Sequence, residues 1–185
     1  SSTVFLSAIA FIHILKLTPI ISYTVIFIFT SLLYLFISGQ IFKTEILSKN
    51  IYLFIFLAFL LRLSFLTTTP IGSDDVYRYM WDGKIQSGGV NPYLYATNDE
   101  HLKPYHSDLL PKALNFREMK TIYFPLSQWL FYTGYKLSGE SVWGYKLLLF
   151  LFELLTLVGL FQLLRKLKIA QKYLLLYVLC PLPIF

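Results

Sequence analysis

Between Gly72 and Tyr93 the chain reads GSDDVYRYMWDGKIQSGGVNPY, which gathers Asp74, Asp75, Asp82, Arg78, Tyr77, Tyr79 and Tyr93 into one short stretch. In a helix, spacings of three and four residues place Asp75, Arg78 and Asp82 on one face, with Tyr79 beside them. A carboxylate in that company can take a proton from a hydroxyl. An arginine there can meet negative charge that develops on a leaving group. The same letters also spell an ordinary surface helix. Ser73 suits the N-cap, Asp74 and Asp75 complement the helix dipole, and Arg78 continues an i,i+3 and i,i+4 charge ladder. The segment after Ile85 ends that helix, and VNPY turns the chain.

What must position these residues is a largely apolar chain. Its 185 residues are 56% hydrophobic and 18% aromatic, and only 14% are charged. Soluble domains carry roughly 25% charged residues, so the composition places this chain among membrane proteins. The net charge of +6 is not drawn into a basic stripe interleaved with aromatics, and nucleic acid is excluded as a partner. Cys180 is the single cysteine and lies in an apolar run, which excludes an intramolecular disulfide and a cysteine metal cluster. The opening residues lack the basic start of a signal peptide, and CPLPIF at the other end lies within an apolar run. Both features lead us to expect a piece of a longer polytopic protein.

Apolar runs at Val4–Leu17, Thr18–Gly39, Ile51–Leu66, Val142–Leu164 and from Tyr173 onward are the expected spans, since a bilayer core takes roughly 20 helical residues. Pro19 separates the first two or starts the second. The intervening region is polar and holds eight of the ten acidic residues and seven basic ones. The positive excess lies elsewhere: Lys43 and Lys49 before the third run, and Arg165, Lys166, Lys168 and Lys172 after the fourth. The positive-inside rule then puts both groups in the cytoplasm and the Thr67–Ser141 loop outside, with Lys16 as an exception that can snorkel. Thr121–Gly139 is read as an extended entry and a short helix in the outer interface. The expected fold is all-α: a polytopic transmembrane bundle with a large outer loop carrying interfacial juxtamembrane helices. Its parts are residues 1–66, 67–141 and 142–185.

SDDVYRYMWDGKIQSGGVNPYLY, followed downstream by TIYFPLSQWLF, resembles the first outer loop of polyprenyl-phosphate-sugar-dependent glycosyltransferases of the GT-C superfamily. The likeness is to bacterial mannosyltransferase-like members and covers roughly Leu61 to Phe185. It implies an integral membrane enzyme of the bacterial inner (plasma) membrane, engaged in cell-envelope glycan synthesis. The donor is a lipid-linked sugar, mannose-like, and the acceptor a glycan, glycolipid or protein hydroxyl. Transfer is a single displacement with inversion. The base role falls on Asp75 or Asp74, with a slight preference for Asp75. Arg78 and Arg62 are candidates for the leaving phosphate, and snorkelling is the plainer reading of Arg62. Asp82, Asn91 and Tyr93 either bind sugar hydroxyls or brace the loop, and Tyr79 shares the helix face. Tyr123 and Gln128 match the family's second motif, usually a Y-P-P-L-type run, in which Phe124 here replaces the first proline.

Other signals are weaker. His101 and His106 do not share a helical face, and Asp99–Glu100 reads as solvated loop, so a metal is not indicated, although metal dependence varies across the superfamily. Glu153 inside a span is a functional candidate or an ion-pair partner. The alternative function is a polytopic transporter or flippase with the loop as an extracellular lid, and a third is a non-catalytic assembly subunit. A transporter places its working charges near the midplane, whereas here they cluster in the loop.

Overall fold

The computed structural model describes residues 19–43, 49–68 and 73–181. The Val4–Leu17 run, Lys16 and the last four residues lie outside these. Every regular element among the described residues is helical, and they fall into two compact units, residues 1–65 with 155–185 and residues 66–154.

In the first unit, helix α1 (Pro19–Lys43) has 25 residues, about 37 Å at 1.5 Å per residue. Pro19 stands at its first position, where a missing N–H costs nothing. Helix α5 (Trp143–Lys166), which contributes residues to both units, has 24 residues. These two are long and apolar enough to cross a membrane, and only 6% of each apolar window is buried within the chain. A helix that is hydrophobic all round needs apolar surroundings, and the described residues cover little of either helix. That points to membrane association.

Two expected spans come out differently. Helix α2 (Ile51–Ser64) has 14 residues, about 21 Å against a hydrocarbon core of roughly 30 Å. It stops where three consecutive threonines and Pro70 follow, all poor helix formers. The run from Tyr173 is not one helix either. A 3₁₀ turn at Gln171–Tyr173 leads into α6 (Leu174–Val178), only five residues long. Cys180 precedes Pro181, and the residue before a proline is disfavoured in the α region. Leu174, Leu175 and Val178 are buried among residues of α1, α2 and α5, and the Tyr34 hydroxyl donates to the Leu176 carbonyl at 3.0 Å.

The second unit is built on two packed helices, α3 (Asp75–Ser87) and α4 (Pro125–Ser138). Val76, Met80, Trp81 and Ile85 form the buried face of α3, joined by Leu102, Leu110, Leu114, Phe131, Val142 and Tyr145. Gly83 lets the helices touch: a Cβ there would lie 2.3 Å from the Phe131 carbonyl oxygen. Because that neighbour is backbone, Gly83→Ala must push the helices apart. It should lower stability by about 1–3 kcal/mol, read as a lowered Tm in detergent.

Helix α3 ends in a Schellman motif. Gly89 sits at φ 82°, its N–H donates to Gln86 O at 2.9 Å, and Val90 N–H donates to Ile85 O at 3.0 Å. Tyr105 seals that end by donating to Gly88 O at 3.0 Å. On the other side, Lys84 Nζ meets Glu140 Oε1 at 2.6 Å, while Ser107 Oγ donates to Glu140 Oε2 at 2.7 Å.

The approach to α4 is extended, with Phe124 as N-cap and Pro125 in the first turn. Phe124 has φ −65°, the angle a proline ring would impose. The replacement in the sequence motif therefore leaves the local backbone as a proline would.

Candidate active site

The start of α3 is where the two leading aspartates stand. Asp74 occupies the N-cap position, and Ser73, expected there, instead accepts the Asp75 N–H on its hydroxyl at 3.1 Å. Asp74 and Asp75 are both exposed. The Asp74 carboxylate meets Asn115 Nδ2 at 3.4 Å, a long contact. An accessible carboxylate at a helix N-terminus is suited to meeting a substrate that arrives from outside.

Arg78 does not divide itself along the expected ladder. Its Nε donates to Asp82 Oδ1 at 3.0 Å and its Nη1 to the Met119 carbonyl at 3.1 Å. The guanidinium is thereby fixed, one turn along the helix from Asp75, by an acid behind it and a loop carbonyl.

Asp82 is 1% exposed and has both oxygens occupied. Oδ2 accepts from Thr121 Oγ1 at 2.6 Å and from Gln128 Nε2 at 2.8 Å. Gln128 in turn accepts from Gln86 Nε2 on its side-chain oxygen at 2.8 Å, and the same Gln86 nitrogen reaches the Asp82 carbonyl at 3.0 Å. Of the two sequence readings for Asp82, sugar binding or bracing, this geometry gives bracing. A single buried carboxylate ties α3, the strand-like approach at Thr121 and helix α4 together. Gln128, 2% exposed, belongs to the same brace.

Above the brace lie three aromatic rings. Tyr79 stacks on Phe131 with centroids 4.4 Å apart, and Tyr123 stands edge-on to both at 5.2 Å. Burial, then the neighbouring Tyr79, then the negative charge of Asp75 push the Tyr123 hydroxyl well above the usual phenol range, with Arg78 acting against them. Tyr123 is thus a neutral donor at any physiological pH, and it lies within electrostatic reach of Asp75. Through that ring contact and these charges, Asp75, Arg78, Tyr79 and Tyr123 form one electrostatically coupled cluster.

Tyr93 joins the turn to this cluster by donating to the Tyr123 carbonyl at 2.6 Å. Asn91 makes an Asx turn, its Oδ1 accepting from Tyr93 N–H at 3.0 Å. Tyr93→Phe removes one hydrogen bond, worth about 1 kcal/mol. A several-fold fall in turnover with a Tm lowered by only about 2–4 °C is the expected outcome of paired activity and unfolding assays.

Arg62 belongs to the first unit and is buried, with Nη1 donating to Ala58 O at 3.2 Å. Glu153 is partly buried in α5. His101 pairs with Asp99 at 2.7 Å and stacks on Tyr95, whereas His106 lies against Trp81. Hydrogen bonds from His101 hold the Asp99 carboxyl below its ordinary range. Among the described residues no group of three or more His, Cys, Asp or Glu side chains is placed to hold a metal ion.

Thr121, Gln86, Phe131 and the Met119 carbonyl are parts of this site that the sequence did not single out. Gln86 had a local signal, four residues after Asp82 on the same face. Thr121 had none, because its partner is 39 residues away.

A family model described as alpha-(1->6)-mannopyranosyltransferase, N-terminal domain, matches residues 4–185. The chain belongs to that family. It is a glycosyltransferase, and a sugar donor and an acceptor are its substrates. No curated protein and no solved structure matches the chain.

Proposed function

We propose that the chain is part of an integral-membrane enzyme that transfers mannose from a polyprenyl-phosphate donor to an acceptor hydroxyl, with inversion, on the outer face of the membrane. The observation that carries this reading is the cluster of Asp75, Arg78, Tyr79 and Tyr123 at the start of α3, in a chain of this family. Asp75 takes the proton from the acceptor hydroxyl. The freed oxygen forms a bond to the anomeric carbon while the bond from that carbon to the phosphate oxygen breaks, its electron pair leaving with polyprenyl phosphate. The family name specifies an α-(1→6) linkage, so inversion calls for a β-linked donor and an acceptor with a free primary hydroxyl.

Arg78, aimed by Asp82 and Met119 O, supplies positive charge close to the base, and Tyr123 supplies an uncharged hydroxyl for the sugar. Asp74 is the second carboxylate at the same helix end and serves the acceptor side. The exposed apolar side chains at the start of α4, Phe124 at 81% and Leu126 at 69%, fit a helix end lying in the membrane interface. A lipid-linked donor would then reach the cluster from the bilayer plane. The transporter reading gains nothing from this structure, because its polar network joins parts of one loop.

Reconstitution in vesicles separates the two. With a short-chain polyprenyl-phosphate mannose and a mannoside acceptor outside, the enzyme should form product without moving solute across the bilayer. Solute flux with no transfer from any lipid-linked donor would contradict the proposal.

A further inference from the structure

At the other end of α3 a groove of about 660 Å³ opens, with Gln86, Asn91 and Pro92 on one side and Trp129, Tyr132 and Thr133 of α4 on the other. Apart from Gln86, which also belongs to the Asp82 brace, its lining takes no part in the chemistry above. No residue that lines it carries a charge. Trp129 is 71% exposed and offers a ring face, while Tyr132 is 40% exposed and carries Lys136 Nζ 5.5 Å from its ring centroid. Asn91 gives its Oδ1 to Tyr93 N–H, and its Nδ2 has no partner among the described residues. Thr133 Oγ1 donates to the Trp129 carbonyl at 2.8 Å, which leaves its lone pairs for an incoming donor.

The chemistry of that lining selects its occupant. A phosphate group would find no cation among the lining side chains, and the nearby Lys136 ammonium sits over the Tyr132 ring instead. A purely apolar chain would strip water from the Asn91 amide without replacing its hydrogen bond, which is costly. A neutral sugar chain presents both apolar C–H faces for the rings and hydroxyls for the amide and threonine, as ligand sites of this mixed kind require. The groove is also joined to the reactive cluster. Pro92 is followed by Tyr93, whose hydroxyl holds the Tyr123 carbonyl, and Tyr123 feels the charge of Asp75. Along α3 the separation from Asp75 to Gly89 is about 20 Å.

We infer that this groove is a subsite for a neutral glycan acceptor, holding sugar units that precede the one bearing the reacting hydroxyl. The inference rests on the reading that transfer takes place at Asp75. Trp129 stacks a sugar face, Tyr132 walls the groove, and Asn91 and Thr133 orient the hydroxyls. Long acceptors then bind better than short ones for a reason located away from the catalytic cluster.

The test uses the enzyme in nanodiscs of neutral lipid, with a manno-disaccharide and a longer manno-oligosaccharide as acceptors. Trp129→Ala should raise KM for the longer acceptor about 3- to 10-fold, the worth of one aromatic stacking contact, with kcat and the disaccharide KM unmoved. Leu126→Ala, on the exposed face of the same helix but outside the groove, should change neither KM. Equal effects of both variants on both acceptors would mean that the helix meets lipid instead, and the inference would fall. A second readout needs no donor: the longer oligosaccharide should quench tryptophan fluorescence in the wild type and not in Trp129→Ala. Such quenching in an enzyme that ignores polyprenyl-phosphate mannose would uphold the groove while sinking the donor assignment. No quenching and no dependence on acceptor length would overturn the groove.

Discussion

Asp75→Asn should lower the transfer rate by about 10²–10⁴-fold, the usual loss when a general base is removed. The amide is nearly isosteric and keeps the position at the start of α3, but it cannot accept the acceptor's proton. Asp75 is exposed and no described side chain donates to its carboxylate within hydrogen-bond distance, so folding should survive the change. The effect should fall on kcat, with Tm and donor binding close to wild type. Asp74→Asn should cost less, because Asp74 stands at the N-cap position and reaches Asn115 while Asp75 is the acid whose charge is felt at Tyr123. Single-turnover rates of the two variants, with expression and folding checked, decide the order. If both retain near-wild-type transfer, neither is the base.

Asp82→Ala should do its damage through structure. The change leaves the Arg78 guanidinium, the Thr121 hydroxyl and the Gln128 amide without their common acceptor, at a site where Asp82 is 1% exposed. Removing one partner of a buried ion pair costs about 3–5 kcal/mol. The low end applies here because the Arg78 side chain keeps 13% of its surface in solvent. Asp82→Asn is the informative companion. One oxygen can still accept from Arg78, but the new amide nitrogen would face Gln128 Nε2, which can only donate, and Thr121 would have to turn its hydroxyl from donating to accepting. Rotating the Gln128 amide would not help, because its oxygen already accepts from Gln86. Denaturant unfolding should rank stability wild type, Asn, Ala. If Asp82→Ala unfolds like wild type yet loses turnover, Asp82 would instead contact substrate.

How far the sequence could be read follows the range of the interactions. The helix Asp75–Ser87 and its C-terminal stop were legible because capping, dipole and glycine signals are local. So was α4, which starts at a proline and alternates a buried and an exposed face. Apolar runs marked α1 and α5 correctly by composition, while α2 and α6 proved shorter than their runs. Hydropathy reports which residues avoid water, and it says little about where threonine and proline break the backbone. The division of labour between Asp75 and Asp82 was not legible. Both are equally good partners for Arg78 on a helical wheel, and only the arrival of Thr121 and Gln128 from the far side of the loop decides the pairing. The groove beside Trp129 was hidden for the same reason, since its walls come from segments about forty residues apart.

The central claim is transfer with inversion from a lipid-linked donor. The most direct measurement is the NMR anomeric configuration of the product formed by the wild-type enzyme from synthetic β-linked polyprenyl-phosphate mannose and a mannoside acceptor. An α-(1→6)-linked product, greatly slowed in Asp75→Asn, is the expected result. A β-linked product, or transfer from nucleotide-linked mannose with none from the polyprenyl phosphate, would contradict it.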